Sequence, residues 1–167
     1  MKYLIVVDMQ NDFCTGSLAN EEAVKTIPFI KKKIKEFLDS GNKVIFTQDT
    51  HRKNYLNTLE GAFLPVEHCI ENTDGWKVVS ELIPDNLKNV SFVSKQHFGF
   101  THWEFSSSDE VWICGTCTDI CVISNALIIK AKNDINVHIL KDGCSGLTKE
   151  KHEHALDVLS SCQCIIE

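Results

Sequence analysis

The sequence predicts an α/β domain: three layers, with a doubly wound, mainly parallel sheet carrying helices on both faces. Three observations support this. Short apolar runs alternate with longer stretches of helical pattern, the signature of successive βαβ units. The first run, Tyr3–Val7 (YLIVV), carries no charge, as expected of a strand covered on both sides. The runs also end at residues suited to chemistry, namely Asp8, Asp49, Lys95 and the turn at Gly115. Open α/β sheets gather their sites at such carboxyl ends.

The 167 residues are read as a single domain, 1–167, with an insertion at about 48–80. At 43% apolar and 24% charged, the chain has the balance of a globular protein with a real core. A net charge of −6 offers no basic excess to replace phosphate counterions, so no nucleic-acid partner is expected. No apolar run approaches the ~20 residues of a membrane span, so no membrane association is expected. Met1-Lys2-Tyr3 leads straight into a strand without a signal-peptide pattern, which points to the cytoplasm. In that setting the eight cysteines are read as reduced thiols.

The elements follow in order. After Asp8, the segment Asp8–Phe13 is polar and turn-like. Pro28 suits the first turn of a helix, with Thr26 or Ile27 near the cap. Ile30, Ile34, Phe37 and Leu38 share one face of that helix, and the lysines at 31, 32, 33 and 35 form a solvated one. Ser40-Gly41-Asn42 ends it, and Val44–Thr47 is the second strand. Gln48–Ser80 is irregular, and so long a connection is uncommon unless it has a task. Val90–Ser94 is the third strand, delivering Lys95, and an aromatic-rich segment follows to Glu104.

Val111–Cys114 is a buried strand broken by Gly115. Thr118 and Asp119 are both good caps for a helix running to Lys132. That helix is apolar nearly all round, so it is buried on several sides or packs against another subunit, and a homo-oligomer is expected. Val137–Leu140 is a strand, Asp142–Gly146 a loop, Lys149–Ser161 a helix and Gln163–Ile166 a last strand. Cys162 and Cys164, two apart, would share a face of that strand.

Cys121 falls in the first turn of the helix after Gly115. There, free N–H groups and the positive helix end favour thiolate over thiol. Strand, sharp turn and thiol at a helix start is the layout of an acyl-transfer site; a small buried core cysteine is the alternative. Cys114, Cys117 and Cys121 span strand, turn and helix with no fourth thiol nearby, which does not suit a cluster site. In the long loop, Asp49 and His51 stand two apart at a strand end, and Glu60 and His68 could complete a mixed nitrogen and oxygen set. A polar surface loop with scattered histidines reads the same way.

Asp8, Lys95 and Cys121 together resemble the catalytic triad of the isochorismatase-like cysteine hydrolases, which include the nicotinamidases. The resemblance runs through Asp8–Phe13, Thr47–His51, Pro65–Cys69 and Gly115–Val122, in the family's order and over nearly the whole chain. It implies an isochorismatase-like, Rossmann-like fold and a nicotinamidase that converts nicotinamide and water to nicotinate and ammonia through a thioester, in NAD salvage. It also implies roles. Cys121 attacks the amide carbonyl, Asp8 moves protons and Lys95 supports the ionised pair. Backbone N–H groups of Cys117 and Cys121 form the oxyanion hole, with a cis peptide between Thr116 and Cys117. Asp49, His51, Glu60 and His68 hold one divalent ion, zinc in the first place, with iron or manganese as other choices. Phe13 packs on the substrate ring. Leu64 and Pro65 stand where a tryptophan often precedes the metal histidine. Another small-amide or isochorismatase-like hydrolase is the alternative, and a thiol redox or metal-binding protein is the non-enzymatic one.

Overall fold

In the computed structural model, which describes residues 1–167, β1 (Lys2–Val7) lies at the middle of a six-stranded sheet. Its neighbours are β2 (Lys43–Asp49) on one side and β4 (Glu110–Thr116) on the other. Beyond β2 lies β3 (Val90–Lys95); beyond β4 lie β5 (Asn136–Ser145) and β6 (Ile165–Ile166). Every pairing is parallel. The order β3-β2-β1-β4-β5-β6 reverses direction between β1 and β4, which opens a crevice at their carboxyl ends.

Parallel neighbours need crossover connections, and these carry the helices that cover the sheet. α2 (Glu21–Asp39) lies across β1, β2, β4 and β5, while α4 (Ile123–Lys132) and α5 (Lys149–Ser161) pack together against the β5 side. Leu4–Val7 are fully buried, as a strand covered on both sides requires, and they anchor a cluster of 30 buried apolar residues.

Register sets the site. Val7 stands opposite Thr47 on one side and Gly115 on the other, and Asp49 stands opposite Lys95. Residues just past these points therefore share one level above the sheet.

Several expectations need correction. The second helix starts at Glu21, not near Pro28: Asn20 Oδ1 accepts from Glu22 N–H, and the buried stripe Ala23, Thr26, Ile30, Ile34 carries the helix through Pro28. Tertiary burial outweighs the local proline signal. A short helix, α1 (Asn11–Cys14), forms where a turn was expected. The long loop contains a 3-10 turn (Tyr55–Asn57), the short helix α3 (Leu59–Phe63) and a second 3-10 turn (Ser80–Leu82).

Gly115 does not end β4. It continues the strand at φ 120°, where a Cβ would run into the Val7 carbonyl. β5 likewise continues through the expected loop to Ser145, with a register irregularity beside Ile113–Gly115. β6 is only Ile165–Ile166, so Cys162 is exposed just past α5 while Cys164 is buried, and the two share no strand face.

Candidate active site

Asp8 leaves β1 with φ 50°, a left-handed conformation unusual for a residue other than glycine. This turns its carboxylate back over the strand ends, where it is completely buried. Oδ1 accepts the Thr47 hydroxyl at 2.6 Å. Oδ2 lies 2.7 Å from Lys95 Nζ and, apart from that ion pair, has no hydrogen-bond partner. Lys95 Nζ also lies 3.3 Å from Asp49 Oδ1 and 3.7 Å from Cys121 Sγ. The three residues read from the sequence as a triad thus meet around one ammonium group.

Their electrostatics depart from the sequence reading. Burial pushes the Cys121 thiol well above the ordinary value, the Asp8 charge adds to this, and Lys95 only opposes it. Burial thus opposes the thiolate that the helix start would favour. The turn from Thr118 to Val122 is also π-helical, with Cys117 at the cap position and no side-chain cap. Thr118 and Asp119 are used elsewhere: the Thr118 hydroxyl meets His152 Nδ1 at 2.8 Å, and Asp119 Oδ1 accepts from Leu147 N–H. Burial also raises Asp8, against the pull of Lys95. For Lys95, burial is outweighed by Asp8, Cys121 and Asp49, which hold its proton more firmly than usual.

The Thr116–Cys117 peptide is cis, and the Cys117 N–H donates to no group within the protein. That leaves it free for an oxygen bound beside Cys121. Cys117 and Cys121 both line a pocket of about 520 Å³. Phe13, Leu64, Phe98 and Ile120 give it an apolar body; Asp49, Glu60 and His68 add polar groups. A larger cleft of about 880 Å³ opens between α2 and the Glu81–Asn89 segment, where the lysines lie, but it contains no nucleophile and is remote from the carboxyl ends of the strands.

Asp49, His51, Glu60 and His68 form a candidate metal-binding group whose ligand atoms all lie within 4.8 Å of one another. Asp49 Oδ2 is 2.8 Å from His51 Nε2 and 3.5 Å from His68 Nε2; Glu60 Oε1 is 3.7 and 3.8 Å from the same nitrogens. Two features fit a cation there. His68 Nδ1 donates to the Val66 carbonyl at 2.8 Å, which aims Nε2 at the cluster, where it offers a lone pair whenever the ring is neutral. Asp49 and Glu60 also set two carboxylates within the group, and the one ammonium beside it, Lys95, is shared between Asp49 and Asp8.

Burial disfavours the Asp49 charge, yet hydrogen bonds from His51 and His68, with Lys95 nearby, hold its carboxyl below the usual range. Burial disfavours a proton on His68 too, but the bonds to Asp49 and Val66 outweigh it and raise that ring. Phe13 lies 5.6 Å from His68, ring to ring, at the pocket wall.

A family model for the isochorismatase domain matches residues 2–166. The chain belongs to the isochorismatase family. It is 25% identical over 193 residues to the nicotinamidase of Schizosaccharomyces pombe, covering 92% of this chain and 86% of that protein. To the nicotinamidase of Escherichia coli it is 25% identical over 189 residues, covering 91% and 86%. Among solved structures it resembles the pyrazinamidase of Pyrococcus horikoshii in complex with zinc, with a TM-score of 0.84, 30% identity, and 99% and 98% of the two chains covered. It also resembles the nicotinamidase/pyrazinamidase of Bacillus subtilis, with a TM-score of 0.87, 26% identity and the same coverage.

Within this isochorismatase-family framework, some residues that build the site were not read from the sequence. Gln10 joins the strand ends: its Nε2 donates to the carbonyls of Asp49 and Trp76, and its Oε1 accepts from Asp49 N–H. Asp12 Oδ2 accepts from Cys69 N–H at 2.7 Å, which pins the segment beside His68. Tyr55, fully buried, sets its ring edge-on to both His51 and His68. Gln10 and Asp12 lie in the opening motif and Thr47 heads the second-strand motif, so all three could have been sought there; nothing local marks Tyr55.

Proposed function

We propose that this isochorismatase-family protein is a cysteine-dependent amidohydrolase acting on nicotinamide, releasing nicotinate and ammonia as a step of NAD salvage. One observation carries the reading. A single apolar pocket has Cys121 in one wall and Asp49, Glu60 and His68 in another, so an aromatic amide fits with its carbonyl at the thiol and its ring nitrogen at the polar end. The relatives named nicotinamidase support the substrate.

The chemistry follows from the contacts. As Cys121 Sγ attacks the amide carbon, its proton passes to Asp8, whose free Oδ2 lone pair faces the site. Lys95 lies against both groups and stabilises negative charge on either one as the proton moves. The carbonyl oxygen gains charge and is met by the backbone N–H groups of Cys117 and Cys121. Asp8 gives the proton to the departing nitrogen, and ammonia leaves a thioester. Asp8 then takes a proton from water, the resulting hydroxide attacks the thioester carbon, and Cys121 regains its proton as nicotinate departs. A divalent ion held by Asp49, His51, Glu60 and His68 supplies, when bound, a Lewis-acid anchor for the pyridine nitrogen. Phe13 packs on the ring.

Ammonia release from a panel of small amides tests this. Turnover of nicotinamide ahead of aliphatic amides and ureido compounds is expected; no release from any pyridine carboxamide would overturn it.

A further inference from the structure

Asn125 lies one helical turn beyond Cys121 and is completely buried. Its amide uses every hydrogen-bonding position it has. Nδ2 donates to the Cys121 carbonyl at 2.8 Å and to the Phe98 carbonyl at 3.3 Å. Oδ1 accepts from Phe100 N–H at 2.9 Å and from Trp103 Nε1 at 3.0 Å. The amide orientation is unambiguous, because two partners can only donate and two can only accept.

One side chain therefore joins two unlike parts of the site. The first is the π-helical turn that carries Cys121. The second is the segment after Lys95, whose Phe98 forms part of the pocket wall although its ring is half exposed. The segment lies close against α4: a Cβ at Gly99 would press into Ile128. It has no regular secondary structure between Gln96 and Ser108, so few backbone bonds of its own fix Phe98.

We infer that Asn125 is a positioning residue that sets the aromatic wall at Phe98 relative to the Cys121 nucleophile, and so determines how well an aryl amide is seated. The inference rests on the nucleophile reading of Cys121. Asp at 125 keeps the shape and the two acceptor bonds, but turns both donor contacts into oxygen facing oxygen. The segment then loses its tie to Phe98 while Phe100 and Trp103 keep theirs.

The test is a double-mutant cycle of Asn125→Asp with Phe98→Ala on the purified enzyme. The readout is the ratio of Cys121 alkylation rates by iodoacetanilide and iodoacetamide, with nicotinamide KM and kcat measured alongside. The ratio reports seating of an aryl group and needs no turnover. Each single variant should lower it by about tenfold, within the range for coupled neighbours, and the double variant should fall no further than either single one. KM should rise in the same pattern, with kcat changing less. A merely structural role would give additive losses.

If Asn125→Asp fails to fold, Asn125→Ala replaces it in the cycle, since it removes the bonds to the Phe98 and Cys121 carbonyls without adding a charge. Additive effects, an unchanged ratio in the position-125 variant or its replacement, or a Cys121 that does not discriminate between the reagents would each overturn the inference. Absence of nicotinamide turnover with the cycle intact would instead overturn the proposed function alone.

Discussion

The Thr47 hydroxyl donates to Asp8 Oδ1 at 2.6 Å, and its oxygen accepts from Asp8 N–H at 3.1 Å. Because the hydroxyl has one proton and spends it on Oδ1, the two carboxylate oxygens are distinguished. In the proposed mechanism Oδ2, facing Lys95, is the one left to exchange a proton with the thiol. Thr47→Val preserves shape and removes the bond. A hydrogen bond to a charged group contributes ~1.5–3 kcal/mol, so kcat/KM should fall by about ten- to a hundredfold. Steady-state ammonia release measures it, and activity within twofold of the wild type would deny the distinction between the oxygens.

Cys121→Ala should leave the fold intact and reduce turnover by on the order of 10⁴ or more, as loss of a nucleophile does. Cys117→Ala should be far milder, since only the backbone N–H of Cys117 is given a role. Circular dichroism separates loss of chemistry from loss of structure. Comparable losses in the two variants would mean that the wrong thiol has been assigned.

Lys95→Met removes the neighbouring charge that lowers the buried Cys121 thiol; burial and Asp8 both raise it. A thiol reacts as thiolate, which forms only as the pH rises towards its pKa. Alkylation of the wild type should therefore climb with pH past neutrality, and the Lys95→Met profile should lie at still higher pH, with slower alkylation at pH 7. Iodoacetamide kinetics followed across the alkaline range give both curves, and coincident profiles would remove Lys95 from the site's chemistry.

The four-residue group in the loop should bind one divalent ion per chain, with zinc the expected metal for two imidazoles and two carboxylates. His51→Ala should lower metal content and nicotinamide turnover together. Chelation should weaken turnover while Cys121 stays open to iodoacetamide. Because imidazole ligands must be unprotonated, metal content should decline as the pH is lowered. Elemental analysis of protein purified without chelator decides the matter: a fully active preparation without metal would exclude the assignment.

Much of this was legible because the relevant signals are local. The uncharged run Tyr3–Val7 and the strand ends at Asp8 and Lys95 each announce themselves within a few residues. Asp49 and His51 stand side by side, and the loop behind them is too long to be a plain connector. What escaped notice depends on distant partners. Pro28 looks like a helix start until the buried stripe from Ala23 is seen to run through it. The helix start at Cys121 is visible locally, but the burial and the Asp8 charge that raise its thiol are not. Thr47 and Asn125 look like ordinary strand and helix residues, and their importance appears only once the partners 39 and 22–27 positions away are in place.

At Gly115 the backbone presses so closely on Val7 that no side chain fits between them. The strand that presents Asp8 and the strand that leads to Cys121 are thus welded at the point where each turns into the site, in register on one rigid floor. Substitutions cannot widen that seam in small steps, because the first carbon added already collides. Divergence on this scaffold is therefore channelled into the walls, the Phe98 segment and the loop from 48 to 80. A descendant can acquire a new appetite for amides without retuning the spacing of Asp8 and Cys121.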